Sequence, residues 1–230
     1  MYAPNGTYIG RNTEIYSELL ASLSDTGTYT IIVGSSSTQA ATPYSLFIQR
    51  VNNPEGYEIA ESGTTVTATI GVKAEMDTYR LTAQAGDGII VRMSGTWDSY
   101  AIGSLVEVYG PEGSLLARSP LNWYGTPQGD VRLQAPVSGQ YTILAAQNAY
   151  VEGGLGELGA YSITFWNNRP QQLFVGRLVQ GATTKENWQI YYLDAPSGED
   201  LLVQVSPLPS TSQLEVYGVL NYAPTATSYE

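Results

Sequence analysis

Leu105-Val106-Glu107-Val108-Tyr109-Gly110-Pro111-Glu112-Gly113 recurs twice in this chain, each time in part. Its second half returns near the start as Met1-Tyr2-Ala3-Pro4-Asn5-Gly6. Its first half returns near the end as Gln213-Leu214-Glu215-Val216-Tyr217-Gly218. Tyr2 to Tyr109 spans 107 residues and Tyr109 to Tyr217 spans 108. An internal period indicates the architecture before any local reading does. The phase matters as much as the period. The chain enters in the middle of one unit, passes through a whole second unit and leaves in the middle of a third.

Further anchors keep the same order. Thr26-Gly27-Thr28-Tyr29-Thr30-Ile31 matches Ser138-Gly139-Gln140-Tyr141-Thr142-Ile143, and Pro43-Tyr44-Ser45-Leu46-Phe47-Ile48 matches Ala160-Tyr161-Ser162-Ile163-Thr164-Phe165. Asn52-Asn53-Pro54 matches Asn167-Asn168-Arg169-Pro170. Tyr79-Arg80-Leu81-Thr82-Ala83 with Gly86-Asp87 matches Tyr191-Tyr192-Leu193-Asp194-Ala195 with Gly198-Glu199-Asp200. The spacing drifts by a few residues, as loop insertions produce. The expected organisation is a C-terminal half unit over 1–52, a complete unit over 53–168 and an N-terminal half unit over 169–230. The Asn-Asn-Pro and Asn-Asn-Arg-Pro segments read as short connectors, stiffened because proline fixes its own φ and restricts the residue before it.

Within each unit the apolar residues alternate. Ile89, Val91 and Met93 alternate with Ile90 and Arg92; Leu201, Val203 and Val205 do the same in the third unit. Tyr79-Leu81-Ala83, Tyr29-Ile31-Val33, Tyr141-Ile143-Ala145, Tyr44-Leu46-Ile48 and Tyr161-Ile163-Phe165 follow suit. Period two with one apolar face marks an antiparallel sheet packed on one side, and short strands between Gly/Pro/Asp turns mark a β-sandwich. The fold class expected is therefore all-β: tandem antiparallel, jelly-roll-like sandwiches of about 110 residues. One stretch pulls the other way. Ile15, Leu19 and Leu23 lie at helical spacing, whereas the matching segment Asp130–Ala135 alternates. The repeat decides, and a strand is expected over Glu18–Leu23.

Composition excludes several functions. The 230 residues contain no cysteine and no histidine. That removes disulfides, thiolate metal sites, Ser-His-Asp and Cys-His catalysis and the commonest transition-metal ligand. A net charge of −11 offers nucleic acid no basic footprint. No apolar run is long enough to span a bilayer, so no membrane insertion is expected. No charged-then-apolar leader precedes Tyr2, so an export signal would lie outside this sequence. An acidic chain with 18 tyrosines and lysine only at Lys73 and Lys185 has the look of an extracellular or cell-surface protein. Asn5-Gly6-Thr7 is the single N-glycosylation sequon.

The ordered anchors also resemble a known family. Asp77-Thr78-Tyr79-Arg80-Leu81-Thr82-Ala83-Gln84-Ala85-Gly86-Asp87 leads into an apolar strand. Then come Val108-Tyr109-Gly110-Pro111-Glu112-Gly113, Ala135-Pro136-Val137-Ser138-Gly139-Gln140-Tyr141-Thr142-Ile143 and Gly159-Ala160-Tyr161-Ser162-Ile163. This succession resembles the bacterial and archaeal pre-peptidase C-terminal domain, a sandwich related to the collagen-binding domains of secreted collagenases. The resemblance covers Gly56–Asn167 fully and the end segments as half units; Gln189 departs from it by replacing Asp77 in the third unit. It implies a non-catalytic accessory or surface module, in some members calcium-binding. Immunoglobulin-like repeats are the competing fold, because Asp25-Thr26-Gly27-Thr28-Tyr29 suits a tyrosine corner.

Candidate chemistry is sparse. A carboxylate pair or a Ser-Lys dyad would remain for catalysis, but neither lysine neighbours a serine-bearing motif. Glu152 and Glu157 sit in a glycine-rich loop that suits solvated charges. No catalytic residue is assigned, and the chain is read as a non-enzyme. Calcium wants several hard oxygen ligands, and Glu75, Asp77, Asp87 and Asp98 are the candidates; against them, Asp77 suits a turn cap and Asp87 a Gly-Asp-Gly turn. Trp97, Tyr100, Trp123 and Tyr124 fall in loops, as a ligand-stacking surface or as covers for the sandwich ends.

The half units set the functional expectation. Half a sandwich leaves an apolar face and open strand edges. The chain is then an excerpt of a longer array, closes on itself, or has its tail half completed by the head half of the next molecule. Closure is disfavoured by the whole unit lying between the halves. The favoured reading is a non-catalytic extracellular stalk or filament whose partner is itself. The rival is an accessory module binding collagen or polysaccharide, an extracellular polymer.

Overall fold

A computed structural model describes residues 1–13, 18–35, 43–97, 103–120, 128–148, 158–183, 189–207, 214 and 216. It divides into two compact units, Met1–Leu46 and Phe47–Glu230.

The alternating segments of the second unit become strands: β1 (Glu58–Ala60), β2 (Thr65–Ile70), β3 (Asp77–Ala83), β4 (Gly88–Trp97), β5 (Gly103–Tyr109), β6 (Leu115–Arg118), β7 (Gln128–Gln134), β8 (Gly139–Asn148) and β9 (Gly159–Asn168). They form a five-stranded sheet in the order β1-β3-β8-β5-β6 and a four-stranded sheet in the order β2-β9-β4-β7. All pairings are antiparallel except β1 with β3. Setting β1 aside, this is the jelly-roll interleave of two four-stranded sheets. The predicted all-β sandwich is the observed fold.

The two inner faces make one core. Ile89, Val91 and Met93 from β4 meet Val106 and Val108 from β5, Ile143 from β8, and Ile163 and Phe165 from β9, all fully buried. The Tyr79 ring lies 5.0 Å from that of Phe165. Each such residue stabilises the fold by roughly 1.5–3 kcal/mol relative to its exposed state.

Segments matched in sequence share backbone detail. In the central unit, Gly110 N–H donates to Ser114 O at 2.9 Å and Gly113 N–H to Gly110 O at 2.9 Å; near the start, Ala3 donates to Thr7 O at 2.8 Å and Gly6 to Ala3 O at 2.9 Å. Gly113 and Gly6 both take left-handed φ values, 85° and 82°, which L side chains resist. A Cβ on Gly139 would stand 2.5 Å from Pro111 Cγ, and one on Gly27 2.7 Å from Pro4 Cγ. Glycine is required at both for the same reason: a proline stands where its Cβ would be. Tyr141 Oη donates to Val137 O at 2.5 Å, and Tyr29 Oη to Asp25 O at 2.8 Å. The tyrosine corner is thus present twice, once in the central jelly roll and once in Met1–Leu46.

Residues 171–192 share a strand pairing with β1 and β3. β10 (Gln171–Gln172) pairs in parallel with β11 (Tyr191–Tyr192), with Gln171 opposite Tyr191 as Glu58 is opposite Tyr79. Arg177 N–H donates to Phe174 O at 3.1 Å, as Thr64 does to Glu61 O at 3.1 Å.

One expectation is corrected. Glu18–Leu23 is neither strand nor helix; it forms no ladder, and Leu19, Leu20 and Leu23 are exposed. Its equivalent, β7, is hydrogen-bonded to β4. The equivalent of β4 is Leu201–Val205, which is likewise unpaired. Alternation makes a segment fit to be a strand, but only a partner makes it one.

Candidate functional site

The acidic candidates are separated by β3. Asp77 opens that strand. The Tyr161 hydroxyl donates to Asp77 Oδ2 at 2.5 Å, and the Tyr79 and Tyr161 hydroxyls lie 2.7 Å apart. Burial pushes the Asp77 carboxyl above its ordinary value; the Tyr161 hydrogen bond pulls the other way, and Glu75 and Glu58 add repulsion. Burial pushes Tyr79 up to about 12 and Tyr161 further in the same direction, so both remain hydroxyl donors. Glu75 caps a turn: its Oε2 accepts from the Gly71 and Val72 amides at 2.6 and 2.9 Å.

Asp87 lies past the other end of β3, roughly 20 Å or more away at strand rise. Its carboxylate is buried and occupied, accepting from the Gln84 amide at 2.8 Å and from Arg169 Nε at 3.2 Å. Asp98 falls outside the described residues. The structure therefore sets Glu75 near Asp77 but keeps Asp87 apart. No group of three or more His, Cys, Asp or Glu suited to a metal forms among the described residues. Of the aromatic candidates, Trp97 ends β4. Tyr100, Trp123 and Tyr124 lie outside the described residues, as do Glu152 and Glu157.

The Asp77 site yields a prediction. A carboxylate whose folded pKa is raised binds its proton more tightly when folded. Its contribution is fully present below about pH 3.9, the unfolded value, and is lost as pH rises through the raised folded value. Asp77→Asn keeps an acceptor for Tyr161 without the charge. The variant is expected to be more stable than wild type to urea at pH 7 and equal to it at pH 3. Lower stability at pH 7 would contradict the burial argument.

Sequence reading missed a second buried acid. Glu107, on β5, is 1% exposed; Tyr109 Oη donates to its Oε2 at 2.8 Å and Arg118 Nε to its Oε1 at 2.5 Å. Arg118 Nη2 completes the ion pair from β6. Among apolar neighbours Glu107 reads as an outward-facing strand residue; the signal was an arginine eleven positions on, across a hairpin.

The largest feature is apolar. Ile31 (44% exposed), Leu46 (55%) and Ile48 (65%) are equivalent to Ile143, Ile163 and Phe165, each 0%. Leu201 (46%), Val203 (60%) and Val205 (49%) are equivalent to Ile89, Val91 and Met93, each 0%. These six exposed residues of the end segments match positions that build the core of the central sandwich.

The strand order accounts for the exposure of these residues among the described residues of the two ends. In both sheets, strands from the first part of the unit (β1–β5) interleave with strands from the last part (β6–β9). β8 separates β3 from β5, and β9 separates β2 from β4. Remove β6–β9, and the pairing left to the first part is β1 with β3. That is what residues 169–230 show as β10 with β11. Remove β1–β4 and most of β5, and what remains is a hairpin with one bridge to β8. That is what residues 1–52 show, with Tyr2 bridged to Tyr8 and Thr30.

No family model matches the chain, and no curated protein matches it significantly. Solved structures do resemble it. The pre-peptidase C-terminal domain of a collagenase from Bacillus anthracis is 17% identical over 50% of this chain and 98% of its own, with a TM-score of 0.37. PliG from Aeromonas hydrophila, a periplasmic inhibitor of g-type lysozyme, is 18% identical over 47% of this chain and 97% of its own, at 0.29. PliG from Salmonella Typhimurium is 18% identical over 48% and 97%, at 0.30. The first belongs to the family that the motif order resembles. The fold itself rests on the strand order and register above. Among the described residues no helix is long and apolar enough to cross a membrane.

Proposed function

We propose that this chain is an extracellular structural repeat protein whose sandwiches line up into a stalk or filament, the head half of one copy completing the tail half of the next. The observation that carries this reading is the exchange of burial. Ile31, Leu46 and Ile48 in 1–52 and Leu201, Val203 and Val205 in 169–230 are exposed, and the residues they match in the central sandwich lie together in one core. Interleaved strands give each half a main-chain ladder for the other, so affinity comes from backbone hydrogen bonds and register from alternate side chains. A head-to-tail contact of this kind is heterologous and need not close, so it propagates.

Within Phe47–Glu230 the connectors suit a load-bearing rod. Val51 and Asn52 pack on the Gly113 hairpin, where a Cβ would stand 3.3 and 3.2 Å from them. Arg169 pairs with the buried Asp87, and Ile190 occupies the space beside Gly88. The acidic, tyrosine-rich composition supports a place outside the cell.

Negative-stain electron microscopy with light scattering across a dilution series tests the reading. Regular beaded fibres that dissolve on dilution are expected, and deleting Met1–Asn52 should abolish them. A monodisperse monomer at every concentration would contradict head-to-tail completion.

A further inference from the structure

We infer that Tyr44 of one copy hydrogen-bonds to Tyr191 and Gln189 of the next, and that this three-residue cluster fixes the register of the junction. The inference rests on the head-to-tail reading above.

The template is the central sandwich. There the Tyr161 hydroxyl, on β9, reaches across to β3 on the other sheet, donating to Asp77 and touching the Tyr79 hydroxyl. Tyr161 and Tyr79 are 3% and 1% exposed, so the cluster is a polar tie inside the core, made only when the two sheets are stacked in one register. It joins the two parts of the unit, since β3 belongs to the first and β9 to the last.

The repeat divides the same three positions between the chain's two ends. Tyr44 stands for Tyr161, Tyr191 for Tyr79 and Gln189 for Asp77. Both hydroxyls are retained. The acceptor changes from a carboxylate to an amide carbonyl, which still accepts the tyrosine proton and carries no charge into the core. Tyr44 is 68% exposed, the highest value among the head residues whose equivalents are core tyrosines, and Gln189 is exposed as well. A core tyrosine needs a partner for its hydroxyl, because a buried unpaired hydroxyl is penalised. A tail half slipped by one residue would turn Gln189 and Tyr191 to the wrong face, leaving Tyr44 unpaired. The cluster therefore favours the correct register and penalises its neighbours.

The test is a double-mutant cycle in the full-length chain. It reads the concentration at which half the chains assemble by light scattering, for wild type, Tyr44→Phe, Gln189→Leu and the double variant. Tyr44→Phe leaves the glutamine carbonyl without its donor, and Gln189→Leu takes the carbonyl acceptor from the tyrosine pair, so each single substitution should raise the midpoint about tenfold. The double variant removes both ends of the Tyr44–Gln189 bond, so its loss should fall well short of the sum of the two single losses, a coupling that independent sites do not show. Gln189→Asp restores the central unit's acceptor and should assemble. Unchanged melting of the central sandwich guards against misfolding. If wild type assembles and the two substitutions prove additive or silent, the cluster is not at the junction and the head-to-tail reading stands without it. If wild type stays monomeric throughout, the head-to-tail reading fails, and this inference with it.

Discussion

Val203→Asp is expected to abolish assembly while leaving the central sandwich unchanged. In the described chain Val203 is 60% exposed, and an aspartate at so exposed a site changes stability by no more than about 0.5 kcal/mol. Its equivalent, Val91, is 0% exposed between β7 and β9. If a second copy closes over Val203 as β7 and β9 close over Val91, the aspartate enters an apolar core with no partner. Burying it costs several kcal/mol, so the assembly midpoint should rise by roughly a thousandfold or more. Val203→Ile serves as the control and should assemble. The melting temperature of the central unit should not move in either variant. Fibres formed by Val203→Asp at the wild-type concentration would show that this face stays open to water.

Arg118→Met should destabilise the central sandwich by about 3 kcal/mol, the low end of the cost of breaking a buried ion pair. Glu107 is 1% exposed, whereas the Arg118 side chain is 35% exposed, so only the acid is fully desolvated. Losing the arginine leaves Glu107 with Tyr109 alone. Glu107→Gln in the same background should recover much of the loss, because the stranded charge is then gone. The measurement is urea unfolding of the single and double variants. Equal stability of Arg118→Met and wild type would mean that the pair is a screened surface contact.

The repeat and the period-two alternation were enough to place the sandwich, because both are local and recur. Ile89-Val91-Met93 and Tyr141-Ile143-Ala145 are buried as their pattern indicates. Pairing was not legible. Nothing in residues 65–70 states that β2 lies beside β9, nearly a hundred positions on. The same gap explains Glu18–Leu23, which was expected as a strand only by its match to the alternating Asp130–Ala135 and which has, among the described residues, no strand beside it to form a ladder with. Glu107 was quoted as a repeat anchor and missed as a buried ion, since its partner is brought by a hairpin. In the sequence Asp77 is one of four acidic calcium candidates, with a turn cap as its alternative. Its neighbour Tyr161, 84 positions away, makes it part of a tyrosine tie. Asp87 was matched to a turn, and a turn is where it sits, held also by Arg169.

Amide hydrogen exchange on the intact chain, at a concentration where it assembles and again after dilution, tests the central claim most directly. β4, β8 and β9 of the central sandwich should be protected in both. Ile31–Val33, Leu46–Ile48 and Leu201–Val205 should gain protection only in the concentrated sample, as each half receives its ladder from another copy. If those segments exchange freely at both concentrations, the halves do not complete one another. If they are protected at both while the mass remains that of a monomer, they close within one molecule; either result contradicts head-to-tail assembly.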